Sequence, residues 1–194
     1  MQATLATTDL QPARRWPRRR LTLVGGTDCV TRTIRVVVAD GQELARTRLR
    51  VVLERQAGIA VVGEAATGDE AVALARRTRP DVVLMDVHVP GLGVVQATRD
   101  MVAHSGIRVM LLSGREGDDR IRAALRAGAG GLLLKDAAAP ELVRAVWVLA
   151  QGAAVLSPVV ARQLASDQNF GQACAVIPLR DRSRRQQSLR RTPC

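Results

Sequence analysis

Four polar residues could do chemistry together, because each directly follows a short aliphatic run: Asp40 after IRVVVA, Asp86 after VVLM, Ser113 after VMLL and Lys135 after LLL. A carboxylate can attack a phosphoryl donor and hold the product as an acyl phosphate. Such a transfer depends on positioning and charge neutralisation more than on covalent help. A second acid beside the acceptor recruits Mg2+, which takes oxygen ligands and keeps several waters. A lysine ammonium neutralises a phosphoryl oxygen as a compact point charge, and a serine hydroxyl donates a hydrogen bond to another. Taken singly, each residue has an ordinary structural reading. Asp86 and the Ser113-Gly114 pair are turn residues, Asp40 caps a helix, and Lys135 is a solvated surface lysine. Their coincidence after four separate apolar runs is what favours a shared site.

The elements that must position them alternate about five times along residues 34–151. β-Branched and aliphatic runs predict strands over 34–39, 59–65, 82–85, 108–112 and 132–134. Apolar residues at helical spacing predict helices over 42–56, 69–79, 94–103, 118–127 and 140–151. Gly58 closes the first helix, Pro80 follows the second, and Gly128, Gly130 and Gly131 follow the fourth. Continuously apolar strands alternating with helices mean an α/β fold, a doubly wound parallel sheet covered on both faces. Its functional crevice lies at the carboxyl ends of the strands, where the four polar residues fall. No GxGxxG follows the first strand, so a dinucleotide site is excluded.

The formal net charge of +11 suggests nucleic acid until it is located. Residues 34–167 carry 17 basic and 15 acidic side chains, whereas residues 1–33 carry 6 and 2, and residues 168–194 carry 6 and 1. The excess therefore sits in the ends. Residues 1–33 read as a disordered basic leader, residues 154–167 as the start of a helical linker, and residues 168–194 as a basic, disordered tail. The tail cluster (Arg180, Arg182, Arg184, Arg185, Arg190 and Arg191) lacks interleaved aromatics and reads as solvated first, a non-specific phosphate binder second. Cys29, Cys174 and Cys194 have no metal-site spacing and fit a reducing cytoplasm. Arg14-Arg15 is followed by no secretory apolar stretch, and no run approaches the ~18 residues a membrane span needs. His88 and His104 have no third ligand nearby. Val143 and Trp147 lie off the inward face of the last helix, as half-exposed packing or as part of a dimer surface.

The stretches RVVVADGQELAR, VVGEAATGDEAVALARRTRPDVVLMDVHVPG, VMLLSG and LRAGAGGLLLKDAAAPELVRAV resemble the receiver domains of response regulators. They are most similar to the LuxR/NarL-type subfamily, whose receiver precedes a DNA-binding helix-turn-helix. With the segments between them they span about two-thirds of the chain. The resemblance implies a flavodoxin-like receiver over residues 34–153, with a five-stranded sheet in order 2-1-3-4-5. It implies that Asp86 is the phosphoacceptor, Asp40 the first member of an acidic pair, Ser113 the switch hydroxyl and Lys135 the phosphate-facing lysine. Mg2+ would be held by Asp40, Asp86 and the backbone carbonyl of His88. Leu132 falls where the family often carries an aromatic switch residue. Implied partners are a sensor histidine kinase and a second copy of the chain, with transcription as the output and no membrane. The implied protein is a cytoplasmic signalling module and not an autonomous enzyme.

The chain departs from that pattern in three places. Gly41 replaces the second acid of the pair, which weakens metal binding. Gly93-Val94 stands where Asp-Gly commonly caps the third helix, and Val89 replaces a usual Met. After Asp167 no helix-turn-helix pattern follows, so nucleic-acid contact falls to the basic ends or to a missing domain. Truncation, divergence or a displaced reading frame would each produce such ends. Gly41 supports a second reading, a phosphorylation-independent pseudo-receiver that keeps the fold as an interaction module. A third is a truncated DNA-binding regulator.

Overall fold

A computed structural model of the protein describes residues 33–156, apart from Gly106, Glu116 and Gly117. The basic leader, the linker from residue 157 onward, the tail and the side chain of His104 lie outside the described residues. The chain runs β1 (Ile34–Ala39), α1 (Glu43–Glu54), β2 (Ile59–Ala65), α2 (Gly68–Thr78), β3 (Val82–Asp86), α3 (Val94–Ser105), β4 (Arg108–Ser113), α4 (Asp119–Arg126), β5 (Gly131–Leu134) and α5 (Ala139–Ala150). All ten expected elements form. The strands pair in parallel in the order β2-β1-β3-β4-β5, as the resemblance implied.

Alternation along each strand divides the core in two. Val36 and Val38 of β1, Val82 and Leu84 of β3, Met110 and Leu112 of β4 and Leu133 of β5 pack with Leu53 of α1 and Leu142, Val146 and Leu149 of α5. Val37, Ala39, Val83, Met85, Val109, Leu111 and Leu132 pack the opposite way, onto Val72 of α2, Met101 of α3 and Ile121 of α4. Both layers are aliphatic, as the near-absence of aromatics requires. Trp147 is half-buried and lies against Gly58, whose φ of +84° turns the chain from α1 into β2. That contact accords with its reading as half-exposed packing.

Local chemistry sets the helix ends. Thr67 caps α2 by accepting from the Glu70 amide at 3.2 Å, and Glu70 reaches back to the Ala66 amide at 2.7 Å, a reciprocal capping arrangement. Asp69 in the same turn accepts from the Leu92 amide at 2.9 Å and so ties the β3–α3 loop to α2. Thr98 of α3 is fully buried, and its hydroxyl has no hydrogen-bond partner among the described residues. No helix among the described residues is long and apolar enough to cross a membrane.

Beyond α5 the chain turns at Gly152 and runs along the outer edge of β5. The Leu132 amide donates to the Val155 carbonyl at 2.7 Å, and the Val155 amide donates to the Gly130 carbonyl at 3.1 Å. Ala154, Val155 and Leu156 are buried, with Val155 joining one core layer and Leu156 the other. A Cβ on Gly131 would stand 2.7 Å from the Val155 carbonyl oxygen, so glycine is what admits this strap. Gly131→Ala is expected to destabilise the protein by about 1–3 kcal/mol through overpacking. Urea unfolding would measure the loss, and amide exchange should quicken at Leu132 and Val155.

Candidate functional site

Parallel pairing brings the carboxyl ends of β1 and β3 together, with Ala39 opposite Met85, so Asp40 and Asp86 emerge side by side. Lys135 follows β5, two strands away from β3, and its side chain reaches back across β4. Its Nζ donates to Asp40 Oδ2 at 2.7 Å and stands 3.1 Å from Asp86 Oδ2. Asp40 is fully buried and Asp86 nearly so. Two buried carboxylates at this proximity need a shared cation, and Lys135 supplies it. Burial alone would lower the Lys135 pKa. The hydrogen bonds to Asp40 and Asp86, with their negative charges, outweigh burial and hold it above the ordinary 10.5.

Asp40 also keeps its local structural role, because its Oδ1 accepts from the Gln42 amide at 2.9 Å where the chain enters α1. The capping position itself is Gln42, which makes no side-chain capping bond. Three of the four oxygens of Asp40 and Asp86 are thus engaged, and Asp86 Oδ1 makes no hydrogen bond among the described residues. The structure brings Asp40, Asp86 and Lys135 into contact. Ser113 ends β4 at the same edge and is buried, but its hydroxyl donates to the Arg115 carbonyl at 2.7 Å. Its own carbonyl accepts the Lys135 amide at 2.8 Å, which fixes the start of the lysine.

Gly41 packs against a proline ring: a Cβ there would lie 3.0 Å from Pro90 Cδ and 3.1 Å from Pro90 Cγ. Pro90 in turn accepts the Gly68 amide through its carbonyl at 2.8 Å. The side chain of Glu43 is exposed in the first turn of α1. The donors at the site are carboxylates and carbonyls, which suit a hard cation that keeps several waters. No group of three or more His, Cys, Asp or Glu side chains able to hold a metal occurs among the described residues. An apolar cleft of about 320 Å³ adjoins Asp40 and Lys135, walled by Leu44, Leu49, Leu133 and Leu142. Leu44 on its rim is 85% exposed.

One contact gave no signal in the sequence. His88 Nε2 lies 3.0 Å from Asp118 Oδ2, while His88 Nδ1 lies 4.0 Å from Asp86 Oδ1. Asp118 was legible as the start of the fourth helix. Its pairing with a histidine beside Asp86 depends on two loops meeting in space.

A profile of the response regulator receiver domain matches residues 36–147. Over 133 residues the chain is 41% identical to response regulator GacA of Pseudomonas viridiflava, covering 68% of this chain and 62% of that protein. Over 135 residues it is 38% identical to the uncharacterized transcriptional regulatory protein YxjL of Bacillus subtilis, covering 69% and 62%. The match thus spans about 62% of the length of these curated relatives. Among solved structures, the signal receiver domain of the putative response regulator NarL from Mycobacterium tuberculosis superposes with a TM-score of 0.60 at 35% identity. That superposition covers 62% of this chain and 98% of the other.

Replacing Lys135 by Met should cost about 1–2 kcal/mol at neutral pH, a buried-pair effect reduced because the lysine is one-third exposed. Since folding raises the Lys135 pKa, its contribution is fully present below 10.5 and is lost only as pH rises past that value. Urea midpoints of parent and Lys135→Met measured from pH 7 upward should keep a constant gap, then converge above the ordinary lysine range. Convergence already near pH 8 would contradict the assignment.

Proposed function

This chain belongs to the response regulator receiver family, and on that premise we propose that it is the receiver of a two-component phosphorelay in which Asp86 accepts a phosphoryl group. The donor is a phosphohistidine of a sensor histidine kinase. An Asp86 carboxylate oxygen bonds to phosphorus, the phosphorus–nitrogen bond breaks, and its electron pair leaves with the imidazole. The observation that carries the reading is the Lys135 ammonium shared between Asp40 and Asp86 at the strand ends. Lys135 takes up part of the incoming charge, roughly −1.5 to −2 for a phosphoryl group. Ser113 supplies a hydroxyl once it leaves the Arg115 carbonyl. Asp40, Asp86 and the His88 carbonyl are the groups that would hold Mg2+, whose charge would neutralise phosphoryl oxygens. The exposed Leu44 beside the cleft offers a partner helix an apolar foothold next to the acceptor. The output is transcriptional regulation through dimerisation in the cytoplasm, by likeness to relatives named as response and transcriptional regulators.

A specific observation favours the second reading, a pseudo-receiver that works without phosphate. Gly41 lies against Pro90 where an acid is expected, and both Asp40 oxygens are already engaged. One experiment separates the two. Intact-mass spectrometry after incubation with Mg2+ and acetyl phosphate should show one phosphoryl group gained by the parent and none by Asp86→Asn. Absence of any gain in a folded parent would leave the pseudo-receiver standing. In the same assay Gly41→Asp, once Pro90 shifts by a few tenths of an ångström, should bind Mg2+ on the order of tenfold more tightly. Mg2+ titration at fixed acetyl phosphate measures that change, and an unchanged midpoint would count against a metal role for position 41.

A further inference from the structure

His88 stands between two carboxylates that belong to different parts of the fold. Asp86 ends β3, and Asp118 is the residue on which α4 begins. Asp118 does two things at once. Its Oδ1 accepts from the Arg120 amide at 2.9 Å and its carbonyl from the Ile121 amide at 3.0 Å, which closes the first turn of α4. Its Oδ2 lies 3.0 Å from His88 Nε2, which brings that turn against the loop after β3. The other ring nitrogen of His88 stops 4.0 Å short of Asp86 Oδ1, the carboxylate oxygen that makes no hydrogen bond among the described residues.

We propose that the close His88–Asp118 contact is the link through which the state of Asp86 reaches α4; this rests on the reading of Asp86 as phosphoacceptor. A phosphoryl group on Asp86 Oδ1 carries charged oxygens into the gap between that oxygen and His88. These are strong acceptors with more negative charge than a carboxylate. The ring is rigid, so drawing it toward the phosphoryl oxygens on the Asp86 side carries Nε2 away from Asp118 Oδ2. The ring therefore exchanges Asp118 for the phosphoryl group, the loop after β3 parts from the start of α4, and the first turn of α4 loosens. His88 is half-exposed, so the ring is free to turn without disturbing the core. The inner face of α4 remains anchored by Ile121, Ala124 and Leu125, so the response is confined to its amino end.

Amide exchange of the whole chain, with and without Mg2+ and acetyl phosphate, tests the link, with phosphoryl occupancy read by intact mass on the same samples. In the parent, exchange at Arg120 and Ile121 should quicken about fivefold on phosphorylation, the weight of one modest polar contact. His88→Ala should show the faster rate without phosphorylation and change little when phosphorylated. Asp118→Asn keeps a capping oxygen and should shift the same way, whereas His88→Gln, whose amide can still donate to Asp118, should move back toward the parent. Parent-like rates in unmodified His88→Ala, or an equal phosphorylation effect in both proteins, would overturn the link with Asp86 still the acceptor. No mass gain on the parent would instead overturn the phosphoacceptor reading, and with it the trigger for the exchange.

Discussion

The ammonium of Lys135, shared by Asp40 and Asp86, is the interaction on which the rest of the strand-end site depends. Asp40 is fully removed from water and Asp86 is close to it, so neither carboxylate is tolerable there without a cation. The geometry explains why that cation is a lysine. It starts two strands from β3, beyond β4, and a long flexible stem is needed to carry the charge back. The backbone bond from Lys135 to the Ser113 carbonyl sets the origin of that stem. The lysine that stabilises the two carboxylates is the same one that, under the proposed function, would meet added negative charge.

Holding two acids and a lysine at one edge requires a rigid sheet, and this chain builds it almost without aromatic residues. Rigidity comes from parallel strands whose side chains alternate cleanly between two aliphatic layers. Small residues serve where elements approach closely. Gly131 admits the Val155 strap, and Gly58 accepts the ring of Trp147. The strap gives β5, otherwise an edge, a hydrogen-bonded neighbour over its first residues and places Val155 and Leu156 in opposite layers.

The loops around Asp86 make contacts that bind different parts of the fold together. Gly41 leaves room that the Pro90 ring occupies, and Pro90 is held by α2 through the Gly68 amide. Glycine at position 41 is thus built into how the β3–α3 loop packs. On the opposite side of Asp86 the loop reaches α4 through His88 and Asp118. Asp86 lies between a side where Gly41 packs on Pro90 and a side spanned by the His88–Asp118 contact.

By itself the sequence determined the order and kind of the elements, because the apolar period of each segment is a local property that survives without knowledge of the neighbours. It also singled out Asp40, Asp86, Ser113 and Lys135, since a parallel sheet gathers whatever follows its strands. What only the tertiary structure decided are the contacts set by strand order and loop packing. Lys135 is bound to both acids, Ser113 is turned toward Arg115, Gly41 lies under Pro90, and residues 154–156 run extended along β5. The His88–Asp118 pair belongs to the same class. These depend on distances between residues far apart in the chain, and periodicity carries no information about which distant loops meet.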